Sequence, residues 1–128
     1  MAGSFDWTDF VEVAAFCRDW SGASPNREAM DRTVVSRAYY AAHCVAAERT
    51  SARGWFHRTK TGDDHKLVWE ALRKHGHVHE ASLLRALCEW RRLCDYEKKD
   101  NTDFAGMASR AINDAHKAIS GLPSAGRW

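Results

Sequence analysis

The sequence predicts an all-α fold, an antiparallel up-down bundle of four long helices plus one short helix. Three observations predict it. Apolar residues recur at spacings of three and four along five segments, no segment alternates apolar and polar residues as a half-buried strand does, and glycine, proline and short polar breaks separate the segments. A chain of 128 residues can build one core and is short for two, so a single domain over 1–128 is expected. Its helices are expected at about 6–20, 25–50, 64–75, 79–97 and 103–121, within the usual boundary error. Brief connections favour neighbouring helices that run in opposite directions.

The first helix carries Trp7, Phe10, Val11, Ala14 and Cys17, with Val13, Phe16 and Trp20 widening the apolar stripe. Ser21 and Gly22 break it. Ser24 can then cap a second helix whose first position suits Pro25, because proline fixes φ and lacks an N–H that would be orphaned there. Met30, Val34, Ala38, Ala41 and Val45 form its stripe, and the small residues over 38–47 allow a neighbouring helix to approach closely. The stretch 51–62 has two glycines and no period, so it reads as a loop. Asp63 or Asp64 is the expected cap of the short third helix, marked by Leu67, Val68, Ala71 and Leu72 and closed near Gly76. Leu83, Leu84, Leu87, Trp90 and Cys94 define the fourth. Thr102 or Asp103 is expected to cap the last, which carries Phe104, Met107, Ala108, Ala111, Ala115 and Ile119 and stops at Gly121 and Pro123.

Composition narrows the function classes. With 45% hydrophobic and 28% charged residues the chain has a globular balance, and a formal net charge of +2 neither requires nor forbids a polyanionic partner. Cys17, Cys44, Cys88 and Cys94 form no CxxC pair and sit within apolar helical segments, where cysteine acts as a small core residue in a reducing compartment. The N-terminus lacks a basic segment followed by an apolar run, and no apolar stretch is long enough to cross a bilayer. A soluble cytoplasmic protein without membrane contact is expected. Gly-rich phosphate loops, serine-nucleophile signatures and paired carboxylates are missing, and no cofactor is implied.

Two short stretches carry more specific information: Ser36-Arg37-Ala38-Tyr39-Tyr40-Ala41-Ala42 in the second helix and Arg91-Arg92-Leu93-Cys94-Asp95-Tyr96 in the fourth. Together they resemble the HEPN family, in particular a branch of small prokaryotic members with a Ser-Arg-x-Tyr-Tyr-Ala helix and a later Arg-x-x-x-Asp-Tyr stretch. Asp64-His65-Lys66 also stands where that branch often has a histidine before a short helix. The resemblance spans roughly 27–118. It implies a bundle that commonly dimerises around a shared cleft, and a metal-independent ribonuclease or RNA-binding protein of a toxin-antitoxin, defence or regulatory system. A nucleotidyltransferase or other antitoxin is the implied partner. Ribonuclease members carry an arginine followed after four to six residues by histidine, whereas Arg91 is followed by Tyr96, and Arg92 stands in place of the usual asparagine. Arg37 and His43 satisfy the spacing arithmetically on the second helix, where the family does not place its motif, and that match reads as chance.

Metal-free RNA cleavage needs a base for the ribose 2′-hydroxyl, an acid for the leaving oxygen and fixed positive charge at the phosphorus. On the resemblance, Arg91, Asp95 and Tyr96 are the catalytic candidates, with Arg37, Tyr40 and Arg92 lining the cleft. Tyr96 is a poor base at its ordinary pKa near 10, so its presence where histidine is usual leaves catalysis open. Read without the family, Arg91 and Asp95 form an ordinary i, i+4 ion pair worth roughly 0.3–0.5 kcal/mol when exposed. The basic loop 49–60 adds Arg53, Trp55 and Arg58 as RNA-contact candidates, since cations neutralise phosphates and aromatic rings stack bases. The competing reading of its Trp55-Phe56 pair is cover for the end of the bundle. His75, His77 and His79 match no zinc spacing, Gly76 interrupts them, and they are expected to form a polar turn without metal. The alternative function is a non-catalytic helical interaction module that assembles a partner protein.

Overall fold

The computed structural model describes residues 5–20, 26–98 and 101–124, which form five helices and no strand. These are α1 (Asp9–Asp19), α2 (Arg27–Ala52), α3 (Asp63–Lys74), α4 (Val78–Tyr96) and α5 (Phe104–Gly121). The 26-residue α2 touches every other helix. It can do so because alanines and valines make up most of its buried residues, among them Val34, Val35, Ala38, Ala41, Ala42, Val45 and Ala46. Small side chains bring helix axes within about 8–10 Å, and the larger Leu72, Leu84, Leu87 and Ile112 fill the space from α3, α4 and α5. No helix among the described residues is long and apolar enough to cross a membrane.

The first helix is shorter and less buried than its sequence predicts. At 11 residues α1 resembles the 12-residue α3, so three helices are long and two are short. Among the described residues it packs on α2 and α5, with Val11 and Ala14 buried and support from Trp7, Phe10 and Cys17. Val13, Phe16 and Trp20, expected to widen the core stripe, instead face solvent and are 48%, 66% and 45% exposed.

Capping chemistry sets the ends. Asn26 caps α2 by accepting from the Ala29 N–H at 3.0 Å; the expected Ser24 cap and Pro25 start lie outside the described residues. Asp103 caps α5 through the Gly106 N–H at 2.9 Å, as its position in the sequence predicts. Neither Asp63 nor Asp64 caps α3. Gly62 precedes the helix without a side-chain cap, and Asp64 turns back to accept from the Thr59 and Lys60 N–H groups at 2.9 and 3.1 Å. A bond from the Thr59 hydroxyl above all, and then these N–H bonds, hold its carboxyl below the usual range and tie the preceding loop to the start of α3. Helices α2 and α3 end alike: Gly54 and Gly76 have φ of 73° and 91°, and the next residues, Trp55 and His77, return their N–H groups to Thr50 and Leu72 at 2.9 and 2.8 Å.

Candidate functional site

The Arg91–Tyr96 motif runs to the end of α4, whose last turn contains no basic residue of its own to satisfy its final carbonyls. Arg32 of α2 supplies the missing cation, donating to the Cys94 and Glu97 carbonyl oxygens at 2.9 and 2.7 Å. Its guanidinium is held by Glu28 at 3.0 Å and lies over the Phe104 ring at 4.3 Å. A buried-side cation at a helix C-terminus also complements the helix dipole. Arg32 therefore fixes where the motif helix ends, a role that local sequence patterns do not reveal.

Arg91 is only 6% exposed. Its guanidinium lies 5.5, 5.4 and 5.8 Å from the ring centroids of Tyr39, Tyr40 and Tyr96, a cation enclosed by three π faces. Asp95 stands 3.8 Å from Nη1 and accepts from the Ser36 hydroxyl at 3.3 Å, linking α4 to α2. The Arg91 Nε–H has no partner among the described residues. An arginine cannot shed its charge, and here the ring faces and Asp95 hold that charge in a largely buried place. Arg37 joins the same assembly, 5.3 Å from the Tyr40 ring that it shares with Arg91 and 5.2 Å from Phe10. The structure thus brings Arg37, Tyr40, Arg91, Asp95 and Tyr96 together across α2 and α4. Tyr96, 76% exposed, forms the rim.

A groove of about 380 Å³ opens beside Arg91, walled by Gly62, His65, Lys66, Trp69, Cys88 and Arg92. It adds a histidine that does not belong to the motif helix. Tyr39, fully buried, shares a short hydrogen bond with His65 Nδ1, and the His43 and His65 rings lie 4.5 Å apart. Burial above all, with the Cys88 side chain, raises the Tyr39 hydroxyl pKa, so it remains neutral. With the proton on Nδ1, donated to the Tyr39 oxygen, His65 presents the lone pair of Nε2; the other tautomer makes Nε2 a donor. Burial and then the Arg91 charge lower the His65 pKa against the opposing pull of Asp64, which favours the neutral, proton-accepting ring. The sequence marks His65 only through its resemblance to a family histidine near a short helix and offers His43 only as a chance spacing; what unites them is the crossing of α2 and α3 at Tyr39.

His43 is a sensitive probe of this cluster. Burial, then His65, Arg58 and Arg91, push its pKa down to about 4 while Asp64 opposes them, and its Nδ1 is buried without a partner. The unfolded chain takes up the proton near 6.5 and the folded chain does not until about 4. Stability is therefore complete above pH 6.5 and declines as pH falls from there toward 4, by a ceiling of about 3 kcal/mol. In His43→Gln the fall in melting temperature between pH 7 and pH 4 should shrink clearly; an unchanged decline would assign it elsewhere.

The basic loop occupies another part of the molecule. Arg53 ends α2, roughly 24 Å along the helix from Arg37, and donates to the Ser124 carbonyl and hydroxyl oxygens at 3.2 and 3.1 Å. Trp55 stacks on His75 at 4.1 Å with an interplanar angle of 2°, and Phe56 is buried. Their placement covers the end of the bundle and does not reach the Arg91 groove. Arg58 differs from them, since its charge acts on His43. His75 and His77 flank Gly76 in a polar turn between α3 and α4, with His77 3.6 Å from Glu80, whereas His79, expected in the same turn, lies in the first turn of α4. No group of three or more metal-ligating side chains occurs among the described residues. All four cysteines are unpaired, and burial pushes the Cys94 thiol up to about 11.

No family model, curated protein or solved structure matches the chain at a significant level.

Proposed function

We propose that the chain is a HEPN-like protein that binds single-stranded RNA, or cleaves it, in the groove between α3 and α4, within a toxin-antitoxin, defence or regulatory system. One observation carries this reading: the buried Arg91 guanidinium, enclosed by three tyrosines, with an unsatisfied donor and a histidine beside it. A fixed cation suits a phosphodiester, and the exposed Tyr96 ring suits stacking by an unpaired base. The reading includes the antiparallel up-down arrangement, a cytoplasmic location and a homodimer whose shared cleft joins two such grooves, with a nucleotidyltransferase or other antitoxin as partner.

In the cleaving form, His65 Nε2 accepts the ribose 2′-hydroxyl proton while the 2′-oxygen bonds to phosphorus and the bond to the 5′-oxygen breaks. Arg91 neutralises the charge that develops on the phosphoryl oxygens. The departing 5′-oxygen takes a proton from solvent and His65 returns its own, so the products are a cyclic phosphate and a 5′-hydroxyl end. Tyr39 orients the ring, which replaces the histidine lacking at Tyr96.

Purified protein should bind a labelled single-stranded oligoribonucleotide with an affinity that falls as salt rises. If it also cleaves, His65→Ala should lower the rate at least 100-fold with binding nearly unchanged, and the wild-type rate should stay flat to below the ordinary imidazole range before it drops. Neither binding nor cleavage would leave the interaction-module reading. The exposed apolar stripe of Val13, Phe16 and Trp20 on α1 favours that second reading, because such patches commonly mark partner contacts.

A further inference from the structure

The groove at Arg91 does not stop at Trp69. Lys66 and Trp69 also wall a second groove, of about 120 Å³, that runs on between α3 and α4 to Arg73, Ser82 and Arg85. Cations recur along it in steps of two helical turns: Lys66 and Arg73 on α3, Arg85 and Arg92 on α4. Each step is about 10 Å, so the charges stand at separate levels of one channel instead of forming a single cluster. Their carboxylate neighbours hold them loosely. Lys66 lies 3.9 Å from Glu70 and Arg85 3.9 Å from Glu89, both pairs exposed, and such pairs are worth little in water. Between the two stretches stands Trp69, whose ring walls both grooves.

We infer that Lys66, Arg73 and Arg85 form a second binding stretch for the phosphodiester backbone of the same RNA strand, extending the Arg91 site along the α3–α4 groove. This rests on the RNA reading above and adds direction and length to it: an oligonucleotide confined to the Arg91 end meets only part of the surface, and a longer strand runs past Trp69 toward Arg73. Arg73 and Arg85 are exposed, so reversing their charge leaves the core intact.

The test compares fluorescein-labelled oligouridylates of three and twelve nucleotides on wild type, on the Arg73→Glu and Arg85→Glu double variant, and on Lys117→Glu, an exposed charge on α5 outside the groove. The twelve-mer should bind wild type more tightly than the trimer. The double variant should bind the twelve-mer at least tenfold more weakly, bind the trimer as wild type does, and show a log–log salt slope shallower by about 1.4 for the twelve-mer. Lys117→Glu should change neither. Equal losses for both lengths, the same loss in Lys117→Glu, or no length dependence in wild type would overturn the second stretch while the Arg91 site stands. Failure of wild type to bind either oligonucleotide would remove the RNA reading itself.

Discussion

Arg91→Ala is expected to weaken binding of single-stranded RNA 10- to 100-fold, about 1.4–2.8 kcal/mol, with helix content unchanged by circular dichroism. The side chain contributes the only cation that is both buried and set inside the tyrosine cage among the residues described there, so no neighbour can take its place. Arg92 is exposed on the same groove and should matter less, because solvent already screens it. Arg91→Lys separates charge from shape. A lysine retains one positive charge and loses the planar fork that stacks on Tyr39 and Tyr40, so an intermediate affinity is expected. Equal affinity of Arg91→Ala and wild type, measured by fluorescence anisotropy, would mean that the cage holds the bundle together and has no part in RNA contact.

The largest loss of stability is expected from Leu84→Ala. Leu84 is fully buried on α4, a helix packed against α2, α3 and α5, so its truncation leaves a void inside the core. Truncation there costs about 2–5 kcal/mol, a large share of the roughly 5–15 kcal/mol typical of a domain, and should lower the melting temperature by about 10 °C. Phe16→Ser is the matched contrast. Phe16 is exposed on α1, so its loss should move the melting temperature hardly at all, since surface changes usually stay within about 0.5 kcal/mol. A drop for Phe16→Ser as large as that for Leu84→Ala, in calorimetry of both variants, would show that the α1 stripe is covered in solution and not open.

The sequence carried the helices well because a helix is written locally. Spacings of three and four marked the buried faces of α2, α4 and α5, including Ala38, Leu84, Leu87, Met107 and Ala111. Gly76 at the end of α3 and Asp103 before α5 were legible for a similar reason, each answering a need of the adjacent turn. Asp64 was misread as a cap because its chemistry suits two local partners equally, and only the path of the loop selected Thr59 and Lys60. Residues Val13, Phe16 and Trp20 have the right period and the wrong surroundings, since α1 touches α2 and α5 and no third helix among the described residues covers them.

The candidate site divides along the same line. Arg37, Tyr40, Arg91, Asp95 and Tyr96 could be singled out from two short motifs, and they do meet across α2 and α4. The pairing of Tyr39 with His65, the approach of His43, and the hold of Arg32 on the end of α4 could not, because each joins different helices. The order of residues by itself determined which segments coil and which face of most of them is apolar, through hydrogen bonds and side-chain contacts four residues apart. Tertiary structure alone decided which polar groups share the groove, because that depends on how each rod is rotated and crossed against its neighbours, a choice made by packing volumes summed over the whole core.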